Sequence, residues 1–364
     1  MENGAVLAEW QQTIRTAAHE SVPIEIHGGR SKRDYGHRSS RPSRTIDTRT
    51  WSGIVDYAPE EMVVTARAGT ALAELEQALA GQGQMLPFEP PHFGGGATLG
   101  GCVAAGLSGP ARAYHGSVRD SVLGIRMLDG QGRALRFGGQ VIKNVAGFDV
   151  ARFMVGSLGT LGLITEVSLK LAPQPREVQT RSLAVTPQQA LERLAAWRRA
   201  PVPVTASAWV GGMLHVRLAG DPAFVQLQAS ALGGDTCSRT EADAFWRAIR
   251  DHRHAFFANR SGHALLRLSV RADAPPLAPG RESLIEWGGA VRWLWAEESA
   301  IAGLRDWARQ YGGHATLFRA SFELLEAHRA FAPLPAAHMA LMERIKSVFD
   351  PSGIFNPGRM YPSL

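Results

Sequence analysis

Apolar and polar positions alternate in short bursts through the first half of the chain. VPIEIHGG (22–29) reads as a strand running into a turn, and EMVVTARAG (61–69) as a second strand. TALAELEQALAGQG (70–83) switches to the helical period, with Thr70 as N-cap and Gly81 near the C-terminus. VLGIRMLDGQGRALRFGG (122–139) alternates again and predicts a hairpin turned at Asp129-Gly130. VAGFDVARFMVGS (145–157) suits a short helix, and LGLITEVSLKLAP (161–173) a strand stopped by Pro173.

The texture changes after LAPQPREV (171–178), a proline-rich joint. Helix PQQALERLAAWRRA (187–200) leads to strands TASAWVGG and MLHVRLAG. A second set follows: a helix over 241–252, strands HALLRLSV (263–270) and AVRWLWA (290–296), helix 297–313 and strand HATLFRA (314–320). This order predicts an α+β domain with a largely antiparallel sheet. AHMALMERIKSVFDPSGIFNPGRM (337–360) is a helix followed by a tight Pro/Gly segment.

At 364 residues the chain is too long for one ordinary core, so two domains are expected. Its 45% hydrophobic and 20% charged residues are those of a soluble globular protein. No apolar run is long enough to span a membrane, and MENGAVLAEWQQTIRTAAHE lacks the basic start and apolar core of a secretory signal. The expected compartment is the cytoplasm. Cys102 and Cys237 are too few for an iron–sulfur cluster or a four-cysteine zinc site and read as small buried residues. The net charge is +6, carried by arginines spread among acids; only Lys32, Lys143, Lys170 and Lys346 are lysines. Nucleic-acid binding would want a basic stripe with interleaved aromatics, which is absent.

Two glycine-rich stretches carry the candidate chemistry. HGGRSKRDYG (27–36) follows a strand, and GGGATLGG (94–101) is the second. Glycines let several backbone N–H groups converge into an anion nest. Two nests, with Arg30 and Lys32 beside them and the Thr98 hydroxyl as a donor, suit a pyrophosphate. Either stretch alone is also compatible with a plain surface loop. PFEPPHF before the second stretch and small residues after it do not make the strand–turn–helix of a dinucleotide fingerprint, so the fold is not of that kind.

The order HGGRSKRDYG, GGGATLGGCVAAGLSG, YHGSVRDSVLGIRMLDGQG, IKNVAGFDVARFMVGSLGTLGLITEVSLKL and DPSGIFNPGR resembles the vanillyl-alcohol oxidase/PCMH flavoprotein family. The resemblance covers about residues 20–172 and 345–360. It implies an α+β, PCMH-type FAD-binding fold of two subdomains over 1–174. An α+β antiparallel-sheet cap over 175–335 and a C-terminal segment, 336–364, returning to the FAD domain complete it. It also implies FAD contacts at Gly28, Gly29, Arg30, Ser31 and Lys32, at Thr98, Gly100, Gly101, Ala105 and Ser108, and at Ile164 in the later strand. Relatives with covalent flavin carry a histidine where Arg30 stands, so a non-covalent FAD is expected.

Within that family, GGGATLGG, GSVRDSVLG, KNVAGFDV, VGSLGTLG and GGHATLFR are most similar to the FAD-binding subunits of glycolate-oxidising complexes. That resemblance implies a paralogous flavin subunit and an iron–sulfur subunit as partners, a small 2-hydroxy acid as substrate, and a membrane reached only through the complex. The chain departs from 2-hydroxyacid dehydrogenase relatives at Gly156-Ser157-Leu158-Gly159, where leucine replaces glutamate, and it lacks their histidine-rich metal motif. No metal ligand set and no catalytic base is legible. His252 and His254 read as solvated residues at the end of a polar helix, and His314 as a buried, hydrogen-bonded histidine. The resemblance therefore implies an FAD-binding subunit of a complex that oxidises glycolate to glyoxylate, with an electron-relaying or structural part for this chain as one option; the alternative is a self-sufficient FAD-dependent 2-hydroxyacid or alcohol dehydrogenase.

Overall fold

The computed structural model describes residues 2–37, 43–139, 148–278 and 280–364. Contacts divide the chain into two compact units. One comprises Met1–Leu107, Ser117–Gln174 and Pro333–Leu364; the other comprises Ser108–Gly116 and Pro175–Ala332. Among the described residues no helix is long and apolar enough to cross a membrane.

The first unit is built on a five-stranded antiparallel sheet in the order Ile54–Ala58, Val63–Arg67, Leu163–Lys170, Val122–Leu128, Ala134–Gly138. Strand alternation sends Val64, Ala66, Ile125, Met127, Val167 and Leu169 to one face. There they pack on helices Leu72–Ala80 and Leu99–Ala105. The opposite face is polar: Thr65 and Ser168 share a hydrogen bond of 2.8 Å, and Arg126 pairs with Glu166 at 3.2 Å. The expected hairpin turns at Asp129, whose carboxylate accepts the amides of Gln131 and Arg133 at 3.0 and 2.9 Å.

Two local expectations change. The N-cap of the Leu72–Ala80 helix is Ala71, not Thr70. The Thr70 hydroxyl is buried and instead holds the Gly53 backbone, accepting from its N–H at 2.9 Å. Of the helix expected over 145–157, residues 145–147 lie outside the described residues, as does most of KNVAGFDV. The described part is Val150–Phe153, where the Asp149 carboxylate accepts the Arg152 amide at 3.0 Å.

A second, smaller layer surrounds the strand Ile24–His27, which pairs in parallel with Arg44–Asp47. The helix Glu2–Glu20 lays Trp10, Ile14 and Ala17, one to two turns apart, on Ile24, Ile46, Ile354 and Phe355. The C-terminal tail completes this layer. Ile24 donates to the Ile354 carbonyl at 2.7 Å, Asn356 donates to the Ile24 carbonyl at 3.0 Å, and the Asn356 side-chain oxygen accepts from Ile26 at 3.0 Å. The tail is held from behind by Lys346, on the helix Ala336–Phe349. Its buried ammonium donates to the carbonyls of Thr160 at 2.6 Å and Phe355 at 3.1 Å and to Asp350 at 2.8 Å. Asp350 in turn accepts the amides of Ile354 and Phe355. Desolvation pulls the Lys346 pKa down, and Asp350 opposes that shift.

The second unit carries an eight-stranded antiparallel sheet in the order Asp235–Thr236, Glu177–Ala184, Met213–Gly220, Val204–Val210, Leu284–Glu286, Val291–Ala296, Ala264–Ser269, His314–Arg319. Helices Pro187–Trp197, Pro222–Leu232 and Glu298–Gln310 bury apolar stripes against one face. Helix Arg239–Arg250 covers Ala206 and Ala208 on the other through Ala242 and Trp246. Trp246, Trp293 and Trp295 are buried, whereas Trp197, Trp209, Trp287 and Trp307 are half-buried. Cys102 is buried, but Cys237 is only half-buried, with its sulfur 3.0 Å from the Ser182 hydroxyl.

Removing one partner of a buried ion pair strands the other in low dielectric. Asp350→Ala is therefore expected to destabilise the protein by about 3–5 kcal/mol. Equilibrium denaturant unfolding measures it, and a loss well under 1 kcal/mol would show that Lys346 relaxes to water.

Candidate functional site

The two glycine stretches meet in the first unit, and they meet backbone to backbone. A Cβ on Gly29 would coincide with the carbonyl of Gly96, and one on Gly28 would collide with the Thr98 hydroxyl. The missing side chains of these two glycines are thus filled by the other stretch. Gly100 is likewise taken up inside the fold, where a Cβ would lie 2.7 Å from that of Ala68. Gly101 is different: a Cβ there would meet only the Thr98 hydroxyl, at 3.1 Å, and Gly101 borders a cleft.

That cleft is lined by residues of both glycine stretches. One wall is the loop Gly28-Gly29-Arg30-Ser31-Lys32. Arg30 has a left-handed φ of 54°. The amide N–H groups of Gly29, Arg30 and Ser31 have no acceptor among the described residues. Three adjacent free donors around a left-handed residue form a nest for an oxyanion. Lys32 is turned to the Ser31 hydroxyl at 3.2 Å, and the Arg30 guanidinium sits 3.7 Å from Glu25 on the rim.

The facing wall is not the second nest that the sequence suggests. GGGATLGGCVAA enters a helix, Leu99–Ala105, capped by Thr98, whose hydroxyl accepts the Gly101 amide at 3.3 Å. The Leu99 and Gly100 amides donate to the carbonyls of Thr70 and Ala68 at 2.9 and 2.7 Å. Those donors are spent within the fold. What the helix offers instead is a surface of small residues, Gly101, Ala104 and Ala105, against which an extended ligand can lie.

Three residues outside the expected set complete the cleft. Leu158, in the Gly156-Ser157-Leu158-Gly159 turn, lines it and is fixed by its amide to the Ala104 carbonyl at 2.8 Å. The Asn356 side-chain nitrogen donates to the Leu158 carbonyl at 2.8 Å. Arg359 reaches across the first loop and donates to the carbonyls of Lys32, Arg33 and Tyr35, each at 3.1 Å. The NPGR string was the sequence signal for these last two residues.

Of the expected contacts, the structure brings Gly28, Gly29, Arg30, Ser31, Lys32, Thr98, Gly101 and Ala105 to one cleft. Gly100 faces Ala68 instead. Ile164 is buried in the core between sheet and helices and does not line the cleft. Ser108 is the first residue of the short segment that counts with the second unit. Cys102, on the same helix, is fully buried, and desolvation pushes its thiol up to about 12, so it supplies no thiolate. No group of three or more His, Cys, Asp or Glu able to hold a metal occurs among the described residues.

Residues 6–138 match the family model of an FAD binding domain, and residues 333–360 that of the C-terminal domain of FAD linked oxidases. The chain is 42% identical over 355 residues to glycolate oxidase subunit GlcE of Escherichia coli (strain K12), covering 97% of each chain. It is 32% identical over 172 residues to glycolate oxidase subunit GlcD of Bacillus subtilis (strain 168), covering 47% of this chain and 36% of that one. Among solved structures, p-cresol methylhydroxylase superposes with a TM-score of 0.71 at 13% identity, over 97% of this chain and 87% of the other. An alkyldihydroxyacetonephosphate synthase gives 0.65 at 16% identity, over 95% and 73%. These two likenesses establish the fold, which is the expected α+β, PCMH-type one.

The contact between the stretches predicts a sharp contrast between glycines. Gly29→Ala forces the loops apart and is expected to cost about 1–3 kcal/mol or more. Gly95→Ala, where a Cβ meets nothing within 4 Å, is expected to leave the thermal midpoint unchanged. Equal midpoints for the two variants would show that the stretches do not interlock.

Proposed function

We propose, for a chain that belongs to the GlcE family of FAD-binding glycolate oxidase subunits, that the cleft holds the pyrophosphate of a non-covalent FAD and that the chain works only within its complex. The protein is an FAD-dependent oxidoreductase subunit acting in the oxidation of glycolate to glyoxylate. The observation that carries the siting of the cofactor is the nest: three consecutive amides without acceptors among the described residues, facing a helix of small residues.

The residues present fit the group. Gly29, Arg30 and Ser31 would donate to the phosphate oxygens, with the Thr98 hydroxyl and Lys32 beside them. Gly101, Ala104 and Ala105 would allow the dinucleotide to lie against the helix, because a larger side chain at 101 would project into the cleft. Arg359 and Asn356 hold the loop and the Leu158 turn in place. Arg30 stands where covalent relatives carry histidine, and a guanidinium forms no such link. When bound, FAD accepts the two electrons released as a 2-hydroxy acid becomes a 2-oxo acid.

Those electrons must then leave. The chain has only two cysteines, so it cannot ligate a four-cysteine cluster, and its described residues contain no metal-binding group. Both facts support a complex with a paralogous flavin subunit and an iron–sulfur subunit, in the cytoplasm and at the membrane only through that complex. Leucine at 158, where dehydrogenase relatives carry glutamate, supports a relaying or structural part for this subunit rather than independent turnover.

The test is anaerobic mixing of the purified, FAD-loaded chain with glycolate, followed by flavin absorbance. The flavin band is expected to bleach slowly or not at all with the chain alone, and readily in the assembled complex. Bleaching by the isolated chain at the rate of the complex would overturn the reading in favour of a self-sufficient dehydrogenase.

A further inference from the structure

Several indole N–H groups of the second unit tie its main stretch, Pro175–Ala332, to itself. Trp209, Trp246, Trp293 and Trp295 donate to Val185, Thr180, Glu286 and Phe256. Trp293 also meets His252 edge-on at 4.6 Å, and that histidine stacks on Phe257 at 3.9 Å instead of standing in solvent as the sequence suggests. Trp287 differs. Its indole donates at 3.0 Å to the carbonyl of Gly109. Gly109 lies in Ser108–Gly116, the short segment that joins this unit soon after the helix Leu99–Ala105.

Other contacts grip the same segment. The Arg112 guanidinium lies over the Trp287 ring, 4.6 Å from its centre. The Tyr114 hydroxyl donates to Ser207 at 3.2 Å, and the same buried oxygen accepts the Gly288 amide at 3.0 Å. Ser207 thus joins the segment to the turn that carries Trp287.

That turn is an uncommon piece of backbone. Trp287, Gly288 and Gly289 have φ of 53°, 61° and 100°, all left-handed. A tryptophan in this region is strained, and such strain persists only where the surroundings impose it. Space is equally tight. A Cβ on Gly288 would stand 3.3 Å from the Tyr114 hydroxyl, and one on Gly289 2.7 Å from the Ala272 carbonyl. Arg292, fully buried, holds the turn by donating to the carbonyls of Gly289 and, at 3.0 Å, Ala274. No carboxylate pairs with it among the described residues, and desolvation draws its pKa down to about 10. A buried guanidinium spent on backbone carbonyls makes the turn a fixed point.

The clasped segment has little slack before it. Only Gly106 and Leu107 separate Ser108 from Ala105, which lines the cofactor cleft. The Gly106 amide is bonded to the carbonyls of Cys102 and Val103 at 3.0 and 3.1 Å, and a Cβ on Gly106 would meet Gly156 at 2.9 Å. Leu107 is buried. A shift of Ser108 is therefore passed to the end of the helix and not absorbed. We propose that Trp287 is a positioning residue for FAD: by holding Gly109 it fixes where the chain leaves the helix, and with it Ala104, Ala105 and Ser108. The inference rests on the cofactor reading of that cleft; the clasp itself rests on the contacts of Trp287, Arg112 and Tyr114.

The test follows FAD release from the loaded, full chain on dilution, read as recovery of flavin fluorescence. Visible circular dichroism of the bound flavin and the thermal midpoint are measured beside it. Trp287→Phe keeps a ring for Arg112 and loses the donor to Gly109. It is expected to release FAD about 3- to 10-fold faster and to alter the flavin dichroism. Tyr114→Phe, which frees the segment at its bond to Ser207, is expected to act in the same direction. Trp295→Phe loses an equivalent bond, to the Phe256 carbonyl, and is expected to lower the midpoint while releasing FAD like the parent. Parent-like release and dichroism in Trp287→Phe overturn the proposal even where the midpoint falls, because a purely structural tryptophan gives that result. So does equal acceleration by Trp295→Phe. If Trp287→Phe does not fold, Tyr114→Phe decides by the same criterion. These failures in a parent chain that holds FAD sink this inference alone, whereas a parent without FAD sinks the cofactor reading and this inference with it.

Discussion

The carbonyl of Gly96 occupies the place where Gly29 would carry a side chain, and the cleft depends on that contact. Only hydrogen at Gly29 lets the two stretches close on each other. Closure sets the nest of Gly29, Arg30 and Ser31 opposite the small residues of the Leu99–Ala105 helix. The rest of the first unit supports this geometry. The sheet takes up the first amides of that helix through Ala68, the neighbouring loop does so through Thr70, and the tail clamps the nest through Arg359. The buried Lys346–Asp350 pair then holds the tail. Parts of the chain more than 300 residues apart thus converge on one loop, as the Ile26–Asn356 hydrogen bond shows.

Much of this was legible in the sequence, for physical reasons. Strands such as Val63–Arg67 and Val122–Leu128 announce themselves by alternation, and the hairpin at Asp129 by its turn residues. The first glycine stretch was legible as a nest because it follows a strand and keeps charges beside it. The Leu99–Ala105 helix was not legible. LGGCVAA is a poor helix former, and the helix exists because Thr98 caps it while Ala68 and Thr70 take its first donors. Glycine meant for ligand and glycine meant for chain packing look identical in sequence; Gly101 and Gly100 differ only in what stands beside them. Ile164 shows the converse: a family contact carried onto this position falls on a core side chain. The environments of His252 and Thr70 were likewise set by distant partners, Phe257 and Trp293 in one case and Gly53 in the other.

The chemistry divides along the same line. The first unit offers backbone donors and small residues, groups suited to holding a dinucleotide rather than to moving protons. The second unit instead packs a neutral His252 among the rings of Phe257, Trp293 and Phe318. Nothing among the described residues supplies a metal to polarise substrate.

Residue-resolved amide hydrogen exchange, with and without FAD, tests the central claim most directly. If the nest receives the pyrophosphate, the amides of Gly29, Arg30 and Ser31 slow markedly on binding. Those of Leu99 and Gly100, already bonded to Thr70 and Ala68, are slow in both states. Protection gained at Leu99 and Gly100 with Gly29, Arg30 and Ser31 indifferent to FAD would contradict the account.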